Sequence, residues 1–144
     1  MSMNVDISQL KAFRDKLQKL DSQKMNKFSE SAVKELAARL LRKVKSITPT
    51  KTGELKRNWQ VGEVNKNGDI YEIEVFNQTE YAEYVEYGHR QTPGRYVPAI
   101  GKRLKNNWVK GKFMLTISTK ELEADAPKII EKKLQQFLAE ALND

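Results

Sequence analysis

The hydrophobic period of this chain changes at Pro49, and that change limits the fold more than any other feature of the sequence. Upstream, apolar residues keep helical spacing. Met25, Phe28, Ala32, Val33, Leu36, Leu40, Leu41, Val44 and Ile47 recur at intervals that place them on one stripe. The spacing predicts a helix over 23–47. Pro49 ends it, because the residue before a proline is pushed out of helical space. A shorter stripe, formed by Ile7, Leu10, Phe13, Leu17 and Leu20, predicts a further helix over 7–20. Asp6 is its expected N-cap, and Asp21-Ser22 breaks the stripe. Arg39, Arg42, Lys43 and Lys45 cluster near the end of the second stripe, where cations complement the helix dipole.

Downstream of Pro49 the period drops to two. Leu55, Arg57, Trp59 and Val61 alternate with Lys56, Asn58 and Gln60, and Tyr71, Ile73 and Val75 alternate with Glu72, Glu74 and Phe76. Such alternation predicts strands. Between the two runs stands Asn65-Lys66-Asn67-Gly68-Asp69, whose Asn-Gly pair predicts the turn of an antiparallel hairpin over 54–76. Tyr71, Ile73 and Val75 should face the helices. Residues 80–87 predict a short helix with Tyr81, Tyr84 and Val85 on its inner side, Thr79 as N-cap and Gly88 as stop. Phe113–Ser118 is apolar on both sides and predicts a third, central strand. Ser118 and Glu121 then match a capping box before a long C-terminal helix over about 120–142. Pro127 is tolerated only near the start of that helix. The expected fold class is therefore α+β, with residues 1–144 forming a single domain.

Composition removes most chemistry. The chain has no cysteine and a single histidine, His89. Disulfides, thiolate nucleophiles and thiolate metal sites are excluded, and a histidine-based site has one candidate ligand. Glu80, Glu83 and Glu86 are spaced by three, and Glu72 and Glu74 share a strand face. Carboxylate pairs can perform acid–base work, but here they lie among lysines and arginines, with no glycine-rich phosphate loop. No catalytic residue, cofactor, metal or small-molecule substrate is expected, and no stretch has the apolar length of a membrane span. The start, MSMNVDISQL, lacks the basic-then-apolar layout of a signal peptide.

Charge points elsewhere. The chain carries 26 basic and 19 acidic residues, net +7. From Tyr87 to Lys120 there is no carboxylate at all, against Arg90, Arg95, Lys102, Arg103, Lys105, Lys110, Lys112 and Lys120. So one-sided a segment repels itself in isolation and suits an acidic partner or a polyanion. Residues 88–112 have no sustained period and are punctuated by Pro93, Gly94, Pro98 and Gly101, which predicts a long basic loop. A structureless loop of that length in a compact domain is usually functional. Arg90, Arg95, Tyr96, Lys102, Arg103, Lys105, Trp108 and Lys110 are its candidate interface residues. Trp108 and Tyr96 supply the aromatic anchors that interfaces favour.

Three stretches follow one another in order: Thr48-Pro49-Thr50-Lys51-Thr52-Gly53-Glu54-Leu55-Lys56-Arg57-Asn58-Trp59, then Tyr81-Ala82-Glu83-Tyr84-Val85-Glu86-Tyr87-Gly88-His89-Arg90, then Gly94-Arg95-Tyr96-Val97-Pro98. Together they resemble the tailed-phage family of neck, tail-completion and minor tail proteins. The matching positions are Pro49, Thr52, Gly53, Leu55, Trp59, Tyr81, Ala82, Tyr84, Val85, Glu86 and Gly88. Asn58 stands where the family often has serine, and the stretch from Arg103 to Lys112 is longer than usual. The resemblance implies a non-enzymatic structural protein that completes the tail or joins it to the head connector, assembled as a ring of typically six copies. Its implied partners are other copies of itself, a head-connector or neck protein and a tail terminator or tail tube protein, with DNA passing through the channel. Its implied location is the neck or tail of the virion, after assembly in the cytoplasm of the bacterial host. The alternative reading is a small nucleic-acid-binding module that uses residues 87–120.

Overall fold

The computed structural model describes residues 1–6, 22–50, 53–98, 101–103, 105 and 107–143. Its first element is not a helix but a strand, β1 (Ser2–Asp6). The stripe over 7–20 lies outside the described residues, and Asp6, expected as its N-cap, is the last residue of β1. The long helix α1 (Ser22–Ile47) follows the periodicity and buries Met25, Phe28, Ala32, Val33, Leu36, Ala37, Leu40 and Val44 along one face.

The chain then differs from the expected alternation. Glu54–Arg57 forms a one-turn helix, α2, and only Trp59–Val61 is extended, as β2. Gly53, in the left-handed region at φ 72°, opens the turn. Asn58 closes it, donating its Nδ2 to the Glu54 carbonyl at 2.9 Å. Leu55 points into the core from either conformation, so the alternation alone could not separate them. A short strand, β3 (Asn65–Asn67), leads into the long central strand β4 (Ile70–Asn77). β4 pairs antiparallel with β1 on one side and with β2 and β3 on the other. The antiparallel hairpin is thus present from Trp59 to Asn77 rather than from residue 54, and a further strand comes from the N-terminus. In the register, Asn67 faces Ile70, so the loop residues are Gly68 and Asp69. Gly68 has φ 62° and Asp69 is not left-handed, the pattern of a two-residue loop with glycine first.

Tyr71, Ile73 and Val75 are buried, as the alternation requires, and meet α1. Tyr71 also donates its hydroxyl to Asn26 Oδ1 at 2.7 Å, which satisfies its polar end at the rim of the core. Trp59 is 3 % exposed. Its Nε1 donates to Thr48 Oγ1 at 2.9 Å, and Thr48 donates onward to the Val44 carbonyl. One buried hydroxyl therefore ties the end of α1 to the first residue of β2.

A short helix, α3 (Ala82–Tyr87), follows, and then α4 (Met114–Asn143), which packs along α1. Phe28 and Phe137 stack across the two long helices with ring centroids 5.0 Å apart. Lys43 reaches Glu121 and Asp125 on α4 at 3.5 and 3.7 Å, and Lys133 reaches Glu35 at 3.1 Å. Arg39 pairs with Glu35 within α1. Of the cations read as complements of the dipole, Arg39 and Lys43 thus serve in ion pairs, while Lys45 stands in the last turn. The hydrogen bond from Lys133 holds the Glu35 carboxyl below its usual value of 4.5. The link therefore stabilises the fold above that value and fades as pH falls through the lowered one.

Five expectations about the second half are corrected. Phe113–Ser118 is not a strand: α4 begins at Met114, and Met114, Leu115 and Ser118 are buried on its inner side. Ser118 does not cap, being inside the helix. In α3 the buried residues are Ala82 and Glu86, while Tyr84 is 59 % exposed and Tyr81 and Val85 are half-buried. Thr79 contributes a backbone carbonyl to the start of α3, and no side chain caps it. Pro127 lies well inside α4.

Gly68 has no atom within 4 Å of where a Cβ would stand, so only its backbone angle resists substitution. Gly68→Val should lower stability by about 1 kcal/mol or more, because a β-branched residue is strained at positive φ. Thermal unfolding checks this; an unchanged midpoint would refute the turn.

Candidate assembly interface

Residues 88–112 are not a structureless loop. Gly88–Arg90 (β5) pairs antiparallel with Trp108–Lys110 (β8), and Tyr96–Val97 (β6) with Lys102–Arg103 (β7). Two short ladders, an inner and an outer, make the segment a long hairpin arm. Gln91 N donates to Asn107 O at 3.0 Å just beyond the inner ladder. Arg103 donates its Nη1 to the Gly94 carbonyl at 2.8 Å across the outer turn. Strands of two or three residues carry no detectable period, which is why the sequence read as a loop.

The arm joins the body through one clasp. Glu86, the penultimate residue of α3, is fully buried. Its Oε2 accepts from Leu115 N at 2.9 Å; its Oε1 accepts from Thr116 N at 2.8 Å and from the Thr116 hydroxyl at 2.7 Å. These are orphan amides of the first turn of α4, and a carboxylate there also meets the positive end of the helix dipole. In return, Lys112 N donates to Val85 O at 2.7 Å and Phe113 N to Glu86 O at 3.0 Å, satisfying carbonyls at the end of α3. Phe113, at φ 50°, turns the chain into α4.

Two glycines make the clasp physically accessible. A Cβ on Gly88 would stand 2.4 Å from Val109 O, and one on Gly111 would stand 2.3 Å from Glu86 O. Gly88 also has φ 87° and ψ 173°, a region essentially reserved for glycine.

The structure places all eight candidate interface residues on the arm. Arg90, Arg95, Lys102, Arg103, Lys105 and Lys110 are exposed. Tyr96 is 52 % and Trp108 48 % exposed, large values for such side chains on a folded element. The matching positions of the family motif divide into two groups. Leu55, Trp59, Ala82, Glu86 and Gly88 are architecture: buried anchors, the clasp carboxylate and the close approach. Gly53 sets the left-handed start of α2, and Thr52 lies outside the described residues. Pro49, Tyr81, Tyr84 and Val85, together with Leu55, instead line a mostly apolar cleft of about 500 Å³ at the foot of the arm, closed on the arm side by His89, Val109, Lys110 and Lys112. The Tyr84 and His89 rings sit 5.6 Å apart at its mouth.

Sequence reasoning did not find this cleft, because its walls come from three separate segments. Nor did it find exposed Tyr87 and Phe113, whose rings meet edge-on at 6.4 Å beside the clasp. The signal available was indirect: tyrosines spaced so that one helix face could not bury them all. Among the described residues, no group of three or more histidine, aspartate or glutamate side chains could hold a metal ion, and no helix is long and apolar enough to cross a membrane.

Glu86→Ala should cost about 3 kcal/mol or more, because it orphans three buried donors at once. Glu86→Gln keeps the shape and should cost about half of that. Urea unfolding of both variants checks the order. Gly88→Ala should destabilise by about 2 kcal/mol or more through its backbone angle alone. Limited proteolysis should then cut the arm before the body.

The sequence profile of the family described as "Bacteriophage HK97-gp10, putative tail-component" matches residues 11–88, just over half of the chain. No curated protein and no solved structure matches. The matched span runs through α1, β2, β3, β4 and α3, leaving out β1, and stops at Gly88, the residue on which the arm turns out of the body. The match covers more than half of the chain, and the chain belongs to the HK97-gp10-like family of phage tail components.

Proposed function

We propose that this protein is a non-enzymatic ring subunit that completes the phage tail or joins it to the head connector. The observation that carries the reading is the arm: an exposed hairpin, free of carboxylates, bearing six arginines and lysines with Tyr96 and Trp108, and clasped to a well-packed body. Membership in a tail-component family makes the protein a structural part of the virion. A ring subunit needs a rigid body and an element that reaches a neighbour, and this chain supplies both within what we take to be one domain. The ring is of six copies. Its neighbours are a head-connector or neck protein on one side and a tail terminator or tail tube protein on the other, at the neck of a particle assembled in the host cytoplasm. DNA passes through the channel without being gripped.

The same arm supports a second reading, a nucleic-acid-binding module using residues 87–120, since cations interleaved with exposed aromatics also suit single strands. Salt separates the two. A nucleic-acid binder should lose affinity by orders of magnitude between low and physiological salt, whereas a joining protein should show no binding worth the name at physiological salt.

Deleting the gene from its phage should leave DNA-filled heads and separate tails in the lysate, visible by electron microscopy, and supplying the protein in trans should join them. Whole, infectious particles without it would refute the reading.

A further inference from the structure

The cleft at the foot of the arm and the face beside it are complementary to the arm itself. Beyond Tyr81 and Glu54 the cleft runs on into a hollow that contains Glu80, Gln78 and Thr79, and this continues into another that adds Glu74 and Glu83. Four carboxylates thus border the two hollows, and among the described residues no lysine or arginine lines either, the cations Lys110 and Lys112 being confined to the cleft itself. Glu83 keeps 71 % of its side chain exposed although it stands 3.8 Å from the terminal amine. The arm has the opposite composition: its outer ladder offers Arg95, Lys102 and Arg103 without a carboxylate, around exposed Tyr96. A basic hairpin with an aromatic tip and an apolar cleft with an acidic border are therefore carried by one chain.

Within one copy the two do not meet: Val109 and His89 of the inner ladder line the cleft, while no described residue of the outer ladder lines it or either hollow. A surface and its complement at different places on one molecule make a head-to-tail contact, which closes into a ring or runs on as a filament.

We propose that the arm of one copy docks on the next copy of this chain, with Tyr96 and Val97 in the cleft lined by Leu55, Tyr84 and Val85, and with Arg95 and Lys102 against the border of Glu54, Glu74 and Glu80. The inference rests on the ring reading above and names its contact. Apolar burial in the cleft supplies the hold, and the opposed charges set register and exclude docking of like faces.

The chain has no cysteine, so one introduced pair of thiols reports one contact. Tyr96→Cys and Tyr84→Cys, both at exposed positions, are made on separate copies and expressed together in the phage lacking the gene. Oxidised particles should contain a disulfide-linked dimer of this chain, about tenfold more than with either variant alone, as a specific rather than a chance contact requires. Particles that incorporate both variants but give no dimer overturn the docking and leave the structural role intact. Linkage of Tyr96→Cys to a different virion protein overturns it too, in favour of a heterologous partner. Absence of the protein from finished particles overturns the role itself. A charge exchange gives an independent readout that spares Arg103, which holds the outer turn. Arg95→Glu with Lys102→Glu should lower plating about 100-fold, and adding Glu74→Lys with Glu80→Lys should recover about tenfold or more, since like charges repel across an interface and opposite ones restore it. No recovery overturns the charge pairing.

Discussion

The carboxylate of Glu86 holds the two ends of the arm to the body. It is buried among apolar neighbours, where an unpaired charge would be costly, and it is fully satisfied by two backbone amides and one hydroxyl at the start of α4. The exchange is mutual, because amides of Lys112 and Phe113 return to the carbonyls that end α3. A short helix of six residues cannot sustain itself in water. Here its carbonyl end and the amide end of the longest helix complete each other, so neither terminus needs a cap from its own sequence neighbourhood.

Everything between those two ends is consequently fixed in place. The arm leaves the body at Gly88 and returns at Gly111, with the two glycines letting the backbones approach within a distance that a Cβ would forbid. The inner ladder is thus anchored by the clasp, and the outer ladder extends from it. The body supports the same point from behind. Asn77, buried at the end of the central strand, donates its Nδ2 to the Leu55 carbonyl at 2.8 Å and accepts from Thr79 N at 2.9 Å. The sheet end, α2 and the approach to α3 are joined by that one side chain, and Trp59 and Thr48 join the same region to α1.

The positions that resemble the phage family do unrelated things in this structure. Trp59, Leu55, Ala82 and Glu86 build the platform; Tyr81, Tyr84 and Val85 line what the platform presents. The one-sided basic composition belongs to the arm, which lies beyond the matched span. Within it the cations have little to pair with, so the charge is left for whatever the arm meets.

What the sequence by itself determined is whatever depends on a long, regular burial pattern. The stripe from Met25 to Val44 could only be a helix with one buried face, the alternation of Tyr71, Ile73 and Val75 could only be a half-buried strand, and the chain between the extended runs had to turn at Gly68, though the loop pair is Gly68-Asp69 and not the Asn67-Gly68 expected. The exposed, basic character of the arm was legible in the same way, since nothing in it repeats and nothing in it is acidic. Tertiary structure decided the rest. Phe113–Ser118 is apolar enough for a buried strand or a buried helix, and the choice fell to Glu86, a partner 29 residues away from Leu115, which caps a helix and has nothing to offer a strand. Leu55–Arg57 alternates like a strand but turns once, because Gly53 and Asn58 bound it. The pairing of β1 with β4 joins residues some seventy positions apart and leaves no mark on either segment alone. Periodicity records which side of an element is buried; it does not record what buries it, and that is where the sheet edge, the clasp and the cleft were settled.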